Sequence, residues 1–336
     1  MRRIMFADMQ QIFQQILESH GFTTDRAETC ARIFAESSLD GVSSHGVNRF
    51  AGFVDFVRQG YVKVDAEPVL RQSLGALEQW DGQLGPGPLN ALFATERAMT
   101  LARRHGIGCV GLANTNHWMR GGSYGWAAAE AGFGLIAWTN TKPNMPAYGA
   151  ADLHLGNNPL VIAVPRAEGH TVLDMAMTQF SLGRIGMAAR RDENLPVPGG
   201  YDINGNLTHD AAAIEASGRA LPVGHWKGAG LALLLDLMAA LLSGGQTTVQ
   251  IGRQETEYGV SQVFIAFDMT KTRTAAELEE MLNDSIDDLH ASIPSELGNR
   301  IRYPGEGSQQ TRQENLQLGI PVDDDIWDEI LQLLPH

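Results

Sequence analysis

The chain has 336 residues, 43% of them hydrophobic and 19% charged, with 25 Lys/Arg against 39 Asp/Glu for a formal charge of −14. This is the composition of an ordinary globular protein able to bury one large core or two moderate ones. It argues against a nucleic-acid backbone as partner, which needs clustered Lys/Arg to displace counterions, and leaves small anions open because they answer to local charge. Cys30 and Cys109, the two cysteines, both lie in apolar runs and read as reduced core residues, which points to the cytoplasm. Asp8, Gln10, Gln11, Gln14 and Gln15 stand where a signal peptide would need an apolar run.

Phe6, Met9, Ile12, Phe13, Ile16 and Leu17 recur at helical spacing and predict an amphipathic helix ended by His20-Gly21. A second helix is expected over Thr24–Leu39, with Ala27, Cys30, Ala31, Phe34, Ala35 and Ser38 on one face and Gly41 just past its end. Ser43 and Ser44 can cap a third, which carries Val47, Phe50, Phe53, Val54 and Val57 inward and stops at Gly60. From Val62 the pattern changes. Short strands are expected at Pro68–Leu70 and Ala76–Trp80, a turn at Asp81-Gly82, a helix over Pro88–His105 closed by Gly106, and a strand at Ile107–Leu112.

An alanine-rich helix follows at Ser123–Ala131, then strands at Gly134–Thr139, Leu160–Val164 and Thr171–Met175, with an irregular Gly/Pro-rich region from Leu195 to Thr208. Gly228–Ser243 is apolar almost all round, which predicts a buried helix; its longest apolar block, Leu231–Leu242, is short for a membrane span and broken by Asp236. A strand is expected at Gln262–Asp268, and Thr274-Ala-Ala-Glu277 is a capping box opening a helix to about His290. Two helices near Thr311–Leu318 and Asp323–Leu334 close the chain. Alternating strands and helices predict an α/β fold with a largely covered central sheet at residues 66–290. Residues 1–65 and 291–336 are expected to add one helical layer beside it.

Gly106-Ile-Gly108-Cys-Val-Gly111 has the spacing of a dinucleotide fingerprint but follows a helix and enters a strand. A Rossmann site needs the reverse order, so that the pyrophosphate meets a helix N-terminus, and the match is rejected. The ten histidines lack Cys or carboxylate neighbours at metal spacing, so no metal is expected.

Three stretches carry chemistry. In Asp40-Gly41-Val-Ser-Ser44-His45-Gly-Val-Asn-Arg49-Phe50, an imidazole and a permanent cation lie four residues apart near a positive helix end, a plausible anion site with a proton donor in it. The competing account is a capping serine with a surface histidine and arginine. Asn114–Trp126 sets His117, Trp118 and Arg120 at a strand end before Gly121-Gly122, where open sheets hold ligands, though an aromatic core turn would look the same. Trp226-Lys227-Gly-Ala-Gly230 leads into the apolar helix and suits a phosphate or carboxylate. Asp174 sits mid-strand between Leu173 and Met175, where a buried carboxylate would need a partner.

Gly41-Val-x-Ser-His-Gly-Val-Asn-Arg-Phe50, Asn116-His-Trp-Met-Arg-Gly-Gly-Ser-Tyr-Gly-Trp126 and Trp226-Lys-Gly-x-Gly230 together resemble the malate/L-lactate/L-sulfolactate dehydrogenase family, over about Phe6 to Trp327. The Trp-Met-Arg-Gly-Gly continuation and the tryptophan before Lys227 look particular to its branch acting on 2,3-diketo sugar acids. The resemblance implies a non-Rossmann fold, a nicotinamide cofactor with NADH favoured over NADPH, and a homodimer. It also implies His45 as proton donor, Arg49 on the substrate carboxylate, and Ser44 and His117 lining the same pocket. Cofactor contacts would come from His170, Thr171, Val172, Leu173, Asp174, Met175 and Ala176, from Trp226 and Lys227, and from the loop Gly305, Glu306 and Gly307. The chain departs from that branch at Gly183–Arg191 and after Pro304. The alternatives are the same fold acting on another 2-oxo acid or on ureidoglycolate, and a non-catalytic sugar-acid binding protein.

Overall fold

The computed structural model describes residues 1–296 and 298–335. In chain order it runs β1 (Arg2–Ile4), α1 (Phe6–Ser19), α2 (Thr24–Leu39), α3 (Val47–Arg58), β2 (Val69–Leu74), β3 (Leu77–Asp81), α4 (Gly87–His105), β4 (Ile107–Thr115), α5 (Gly122–Glu130) and β5 (Gly134–Thr139). Next come β6 (Met145–Pro146), β7 (Leu153–Leu155), β8 (Leu160–Val164), β9 (Thr171–Met175), α6 (Leu182–Arg190), β10 (Gly200–Tyr201), β11 (Leu207–Thr208), α7 (Ala211–Ser217) and α8 (Trp226–Ser243). The remainder is α9 (Thr248–Ile251), β12 (Val260–Phe267), α10 (Ala275–His290), α11 (Glu306–Leu318), β13 (Ile320–Val322) and α12 (Asp324–Leu331).

Seven strands form the central sheet in the order β2-β3-β4-β12-β5-β8-β9. Only β3 and β4 pair in parallel; the other neighbours are antiparallel. Alternation along β12 divides the sheet's two faces. Phe264 and Ala266 turn toward α4 and α5, in a core with Ala94, Ala98, Tyr124, Val110, Leu135 and Val161. Val263 turns the other way, onto Ala232, Leu235 and Ala239 of α8.

The rejected fingerprint has a packing role instead. A Cβ on Gly111 would stand 2.3 Å from the Leu242 carbonyl oxygen of α8, and one on Gly108 would stand 2.1 Å from the Ala98 carbonyl of α4. The glycines let two helices approach opposite faces of one strand.

The helical layer has its own core. Phe13 stacks on Phe50 with centroids 4.0 Å apart, Phe34 meets Phe50 edge-on at 5.2 Å, and Trp327 and Ile330 of α12 close over them. Burying each such side chain is worth about 1.5–3 kcal/mol. The antiparallel pair β1–β13, with Arg3 opposite Pro321, ties the two ends of the chain into this layer. Those strands are three residues each, too short for a periodicity to reveal them.

Two local expectations give way. Ser43 and Ser44 do not cap α3; they lie in a 3-10 turn, Ser43–His45, and the Val47 N–H donates instead to Ser38 Oγ of α2 at 2.8 Å. And α8 is not buried all round. Ala232, Leu235, Asp236 and Ala239 pack inward, while Leu234 and Leu241 are 59% and 73% exposed. Its length and hydropathy would suit a membrane crossing, but the inward face lies on the sheet. Asp236 is buried there and accepts from Asn140 Nδ2 at 2.8 Å and the Thr248 N–H at 2.7 Å, which explains a carboxylate in an apolar helix.

Because the contact at Gly111 is with backbone, the neighbours cannot move aside cheaply. Gly111→Ala should lower stability by about 1–3 kcal/mol, read as a lower urea midpoint. An unchanged midpoint would mean that α8 does not sit this close to β4.

Candidate active site

A cleft of about 700 Å³ opens between the helical layer and the β5–β8–β9 end of the sheet. Its walls bring together Ser44, His45 and Arg49 from the first motif, His117 and Arg120 from the second, Val172, Leu173, Asp174 and Ala176 of β9 and its end, and Gly305. Sequence positions more than 250 residues apart thus share one cavity, since Ser44 and Gly305 both line it.

His45 does not ride on α3 but on the turn before it, with Gly46 between. That glycine is required by a close approach: a Cβ there would fall 2.2 Å from Ser38 Oγ and 2.8 Å from the Phe34 carbonyl oxygen. The turn is pressed against α2, and this aims His45 at the cleft. His45 Nδ1 lies 3.0 Å from Ser44 Oγ, which leaves Nε2 for a ligand. The His117 ring stands nearly parallel at a centroid distance of 5.9 Å, with its Nδ1 accepting the Met119 N–H at 2.9 Å. Met119 takes a left-handed φ of 65° to make that contact.

Both rings are half-buried by surface, yet the cleft strips them of water. Desolvation lowers the pKa of His45, with Arg49 and Arg120 adding to the effect and Asp174 opposing it. His117 is held well below the ordinary imidazole value, by desolvation first and then by Arg49 and His45. Arg49 is exposed to the cleft, and no salt bridge is formed by it among the described residues.

Asp174 is not a buried carboxylate. It faces the cleft, and its Oδ2 accepts the Gly122 N–H at 2.7 Å, where α5 begins. Beneath it Arg120 is 5% exposed and paired with Asp40, which also accepts from Arg312 Nη1 at 2.8 Å. Arg120 Nε has no hydrogen-bond partner among the described residues.

The comparisons with known proteins agree with this geometry. The family model for malate/L-lactate dehydrogenase matches residues 4–331. The chain belongs to that family. It is 41% identical over 332 residues, 98% of this chain and 100% of the relative, to 2,3-diketo-L-gulonate reductase of Klebsiella pneumoniae. The same figures hold for 2,3-diketo-L-gulonate reductase of Citrobacter koseri. Sulfolactate dehydrogenase from Methanocaldococcus jannaschii superposes with a TM-score of 0.91 at 26% identity, covering 99% of this chain and 96% of that one. The protein is therefore an oxidoreductase acting on a CH–OH or keto group, and its fold is that of a non-Rossmann dehydrogenase.

Other members of the sequence-derived set lie elsewhere. Thr171 and Met175 belong to β9 but do not line this cleft, and His170 lines a neighbouring cavity of about 450 Å³ that shares Trp126 and Ser308 with it. Trp226 and Lys227 open α8 on the outer surface, and Trp226 is 64% exposed. Gly305, Glu306 and Gly307 are not a loop but the N-cap and first turn of α11. Glu306 is tied to the Tyr303 N–H and to His290. Sequence reading missed Lys142, Asn144, Asn157 and Glu257, which also line the cleft. They come from connections between regular elements, where no periodicity marks them.

The histidines give a pH test. Unfolded imidazoles take up protons at about pH 6.5, whereas the two buried ones do so only at lower pH. Their contribution to stability is therefore whole above about pH 6.5 and is lost as pH falls toward the depressed folded values. His117→Gln should flatten the decline in urea midpoint between about pH 7 and 5; an unaltered slope would show that His117 titrates normally.

Proposed function

We propose that the protein is an NADH-dependent reductase of a 2,3-diketo sugar acid, taking 2,3-diketo-L-gulonate to 3-dehydro-L-gulonate. One observation carries the reading: two desolvated imidazoles face one another at 5.9 Å in a cleft whose mouth holds the unpaired cation Arg49. A keto-acid reductase needs an acid near neutral pKa and a cation for the carboxylate. Arginine suits the carboxylate because its planar fork donates two parallel hydrogen bonds. His45, held at Nδ1 beside Ser44 Oγ, gives a proton from Nε2 to the carbonyl oxygen, and His117 lies behind it as a second, neutral ring.

The cleft also fits a nicotinamide cofactor. β9 is an edge strand of the sheet, so its backbone at Leu173 and Asp174, and Ala176 just past its end, border the cleft. Gly305, with φ 97°, allows the chain to pass close by, since a Cβ there would stand 3.1 Å from Trp126 and 3.2 Å from the Val172 nitrogen. Val172, Leu173, Asp174, Ala176 and Gly305 would hold it, with His170 and the start of α11 bordering the adjoining cavity. When bound, nicotinamide supplies the hydride. The preference for NADH over NADPH rests on the likeness to the diketogulonate reductases.

The test is a panel followed by NADH absorbance, with 2,3-diketogulonate, pyruvate, lactate and oxaloacetate side by side and NADPH as second cofactor. The wild type should favour diketogulonate and NADH. His45→Asn should lower kcat by about 10²–10⁴-fold while NADH binding, read by fluorescence, stays nearly intact. A smaller loss would transfer the proton to His117.

We also infer a homodimer that covers the outer face of α8. Leu231, Leu234, Leu237, Met238 and Leu241 are all exposed on this helix, and contiguous apolar faces of this kind mark contact surfaces. Trp226 and Lys227 begin the same helix away from this chain's cleft, so a cofactor role for them requires a second copy. Sedimentation equilibrium at micromolar concentration should give a dimer, and Leu234→Glu with Leu241→Glu a monomer. A wild-type monomer with full activity would end the idea. The two thiols, Cys30 and Cys109, are free, which supports a cytoplasmic setting.

A further inference from the structure

Four cleft residues have no part in the chemistry above: Lys142, Asn144, Asn157 and Glu257. Their hydrogen bonds show which polar atoms remain to be used. Glu257 Oε2 accepts the Lys142 backbone N–H at 2.9 Å, and its other oxygen has no partner among the described residues. Asn144 Nδ2 donates to Asn157 Oδ1 at 2.9 Å, and the Asn157 N–H donates back to Asn144 Oδ1 at 2.7 Å. This reciprocal pair fixes which end of the Asn157 amide is free. Its Nδ2, like the Lys142 ammonium, donates to nothing among the described residues. Glu257 also lines a side cavity of about 110 Å³ with Arg49, His117 and Phe56, so it adjoins the groups assigned to the carboxylate and the proton.

The wall therefore presents a carboxylate acceptor, an amide donor and an ammonium to the same cleft as the reacting end, with Glu257 nearest to Arg49 and His117 through the shared side cavity. A short apolar tail, such as the methyl group of pyruvate, would leave all three without a substrate partner. A second carboxylate, as in oxaloacetate, would meet Glu257 as a like charge. Hydroxyl groups satisfy both kinds of atom, since each donates one hydrogen bond and accepts others.

We propose that Glu257, supported by Asn157 and Lys142, reads the hydroxyl-bearing tail of the substrate and makes the enzyme selective for polyhydroxy keto acids. The inference rests on the cleft being a keto-acid reductase site and adds which residues choose among keto acids. Burial raises the Glu257 pKa, and the Lys142 N–H and the charges of Arg49 and Lys142 only partly oppose that rise. A hydroxyl donor on the substrate would stabilise its carboxylate form. Sites built to bond a substrate hydroxyl discriminate strongly against analogues that lack it.

The experiment compares kcat/KM for 2,3-diketogulonate, pyruvate and oxaloacetate in the wild type, Glu257→Gln and Asn157→Ala. The ratio of diketogulonate to pyruvate should fall about 10- to 100-fold in Glu257→Gln, the value of one charge-assisted hydrogen bond, and mainly through KM. The ratio of oxaloacetate to pyruvate should rise as the like charge is removed. Asn157→Ala should lower the diketogulonate ratio less, and it carries the test if Glu257→Gln does not fold by circular dichroism. A wild type selective for diketogulonate whose variants keep that selectivity would overturn this inference alone. A wild type that reduces pyruvate and leaves diketogulonate untouched would overturn the substrate reading and this inference with it.

Discussion

Asp40 accepts from Arg120, in the turn between β4 and α5, and from Arg312, on α11, so three distant segments converge on one carboxylate at the end of α2. Arg120 and Asp40 are 5% and 7% exposed, and Arg312 reaches on to Glu36 one turn earlier. Breaking a buried pair by removing one partner typically costs about 3–5 kcal/mol, because the other charge is left stranded. Such a pair adds little net stability over apolar packing, but it fixes geometry. Here it fixes the helical layer against the sheet, and so sets the turn that carries His45 opposite the turn that carries His117. The cleft is the seam between those two bodies, and its width depends on this junction.

The same seam concentrates positive charge in an acidic protein. At a formal charge of −14 the whole molecule repels anions, yet Arg49, Arg120 and Lys142 line one cleft, with Asp174 and Glu257 as the acidic groups on its walls. Attraction for an anion is therefore local. Screening over about 8–10 Å at ordinary ionic strength lets a local cluster prevail over the distant negative surface.

The regular elements were legible because burial writes a period into the sequence. β5, β8 and β9 fall on the expected residues, as does α2, and the Thr274–Glu277 capping box opens α10 as its residue types require. α8 shows where such reasoning stops. An all-round apolar helix says that both faces shun water, and only the structure shows that one face meets the sheet while the other stays open. Ser43 and Ser44 failed for a different reason. The cap came from Ser38, which is next to Val47 in space but nine residues before it, and no local rule looks that far. The cleft gathers Ser44, His45, Arg49 and His117 as one group, but Glu257 and Asn157 carried no signal, and Asp40, though it opens the first motif, gave no sign of its pairing. Their meaning lies in partners that no local period connects: Lys142 for Glu257, Arg312 for Asp40 and Asn144 for Asn157.

Arg49 couples binding to protonation. Its charge helps to depress the pKa of both His45 and His117, and it forms no salt bridge among the described residues. A carboxylate bound to Arg49 cancels much of that charge, so the depression it imposes on the two rings is relieved. Linkage then runs both ways: an anion at Arg49 favours the protonated imidazole, and a protonated imidazole favours the anion. Of the two rings, His45 gains the more usable proton, because Asp174 already works in that direction while His117 has its Nδ1 committed to the Met119 N–H. Under the proposed function, an imidazole that stays neutral in the empty cleft avoids a standing buried charge, and a carboxylate on Arg49 would relieve part of the depression that desolvation chiefly causes.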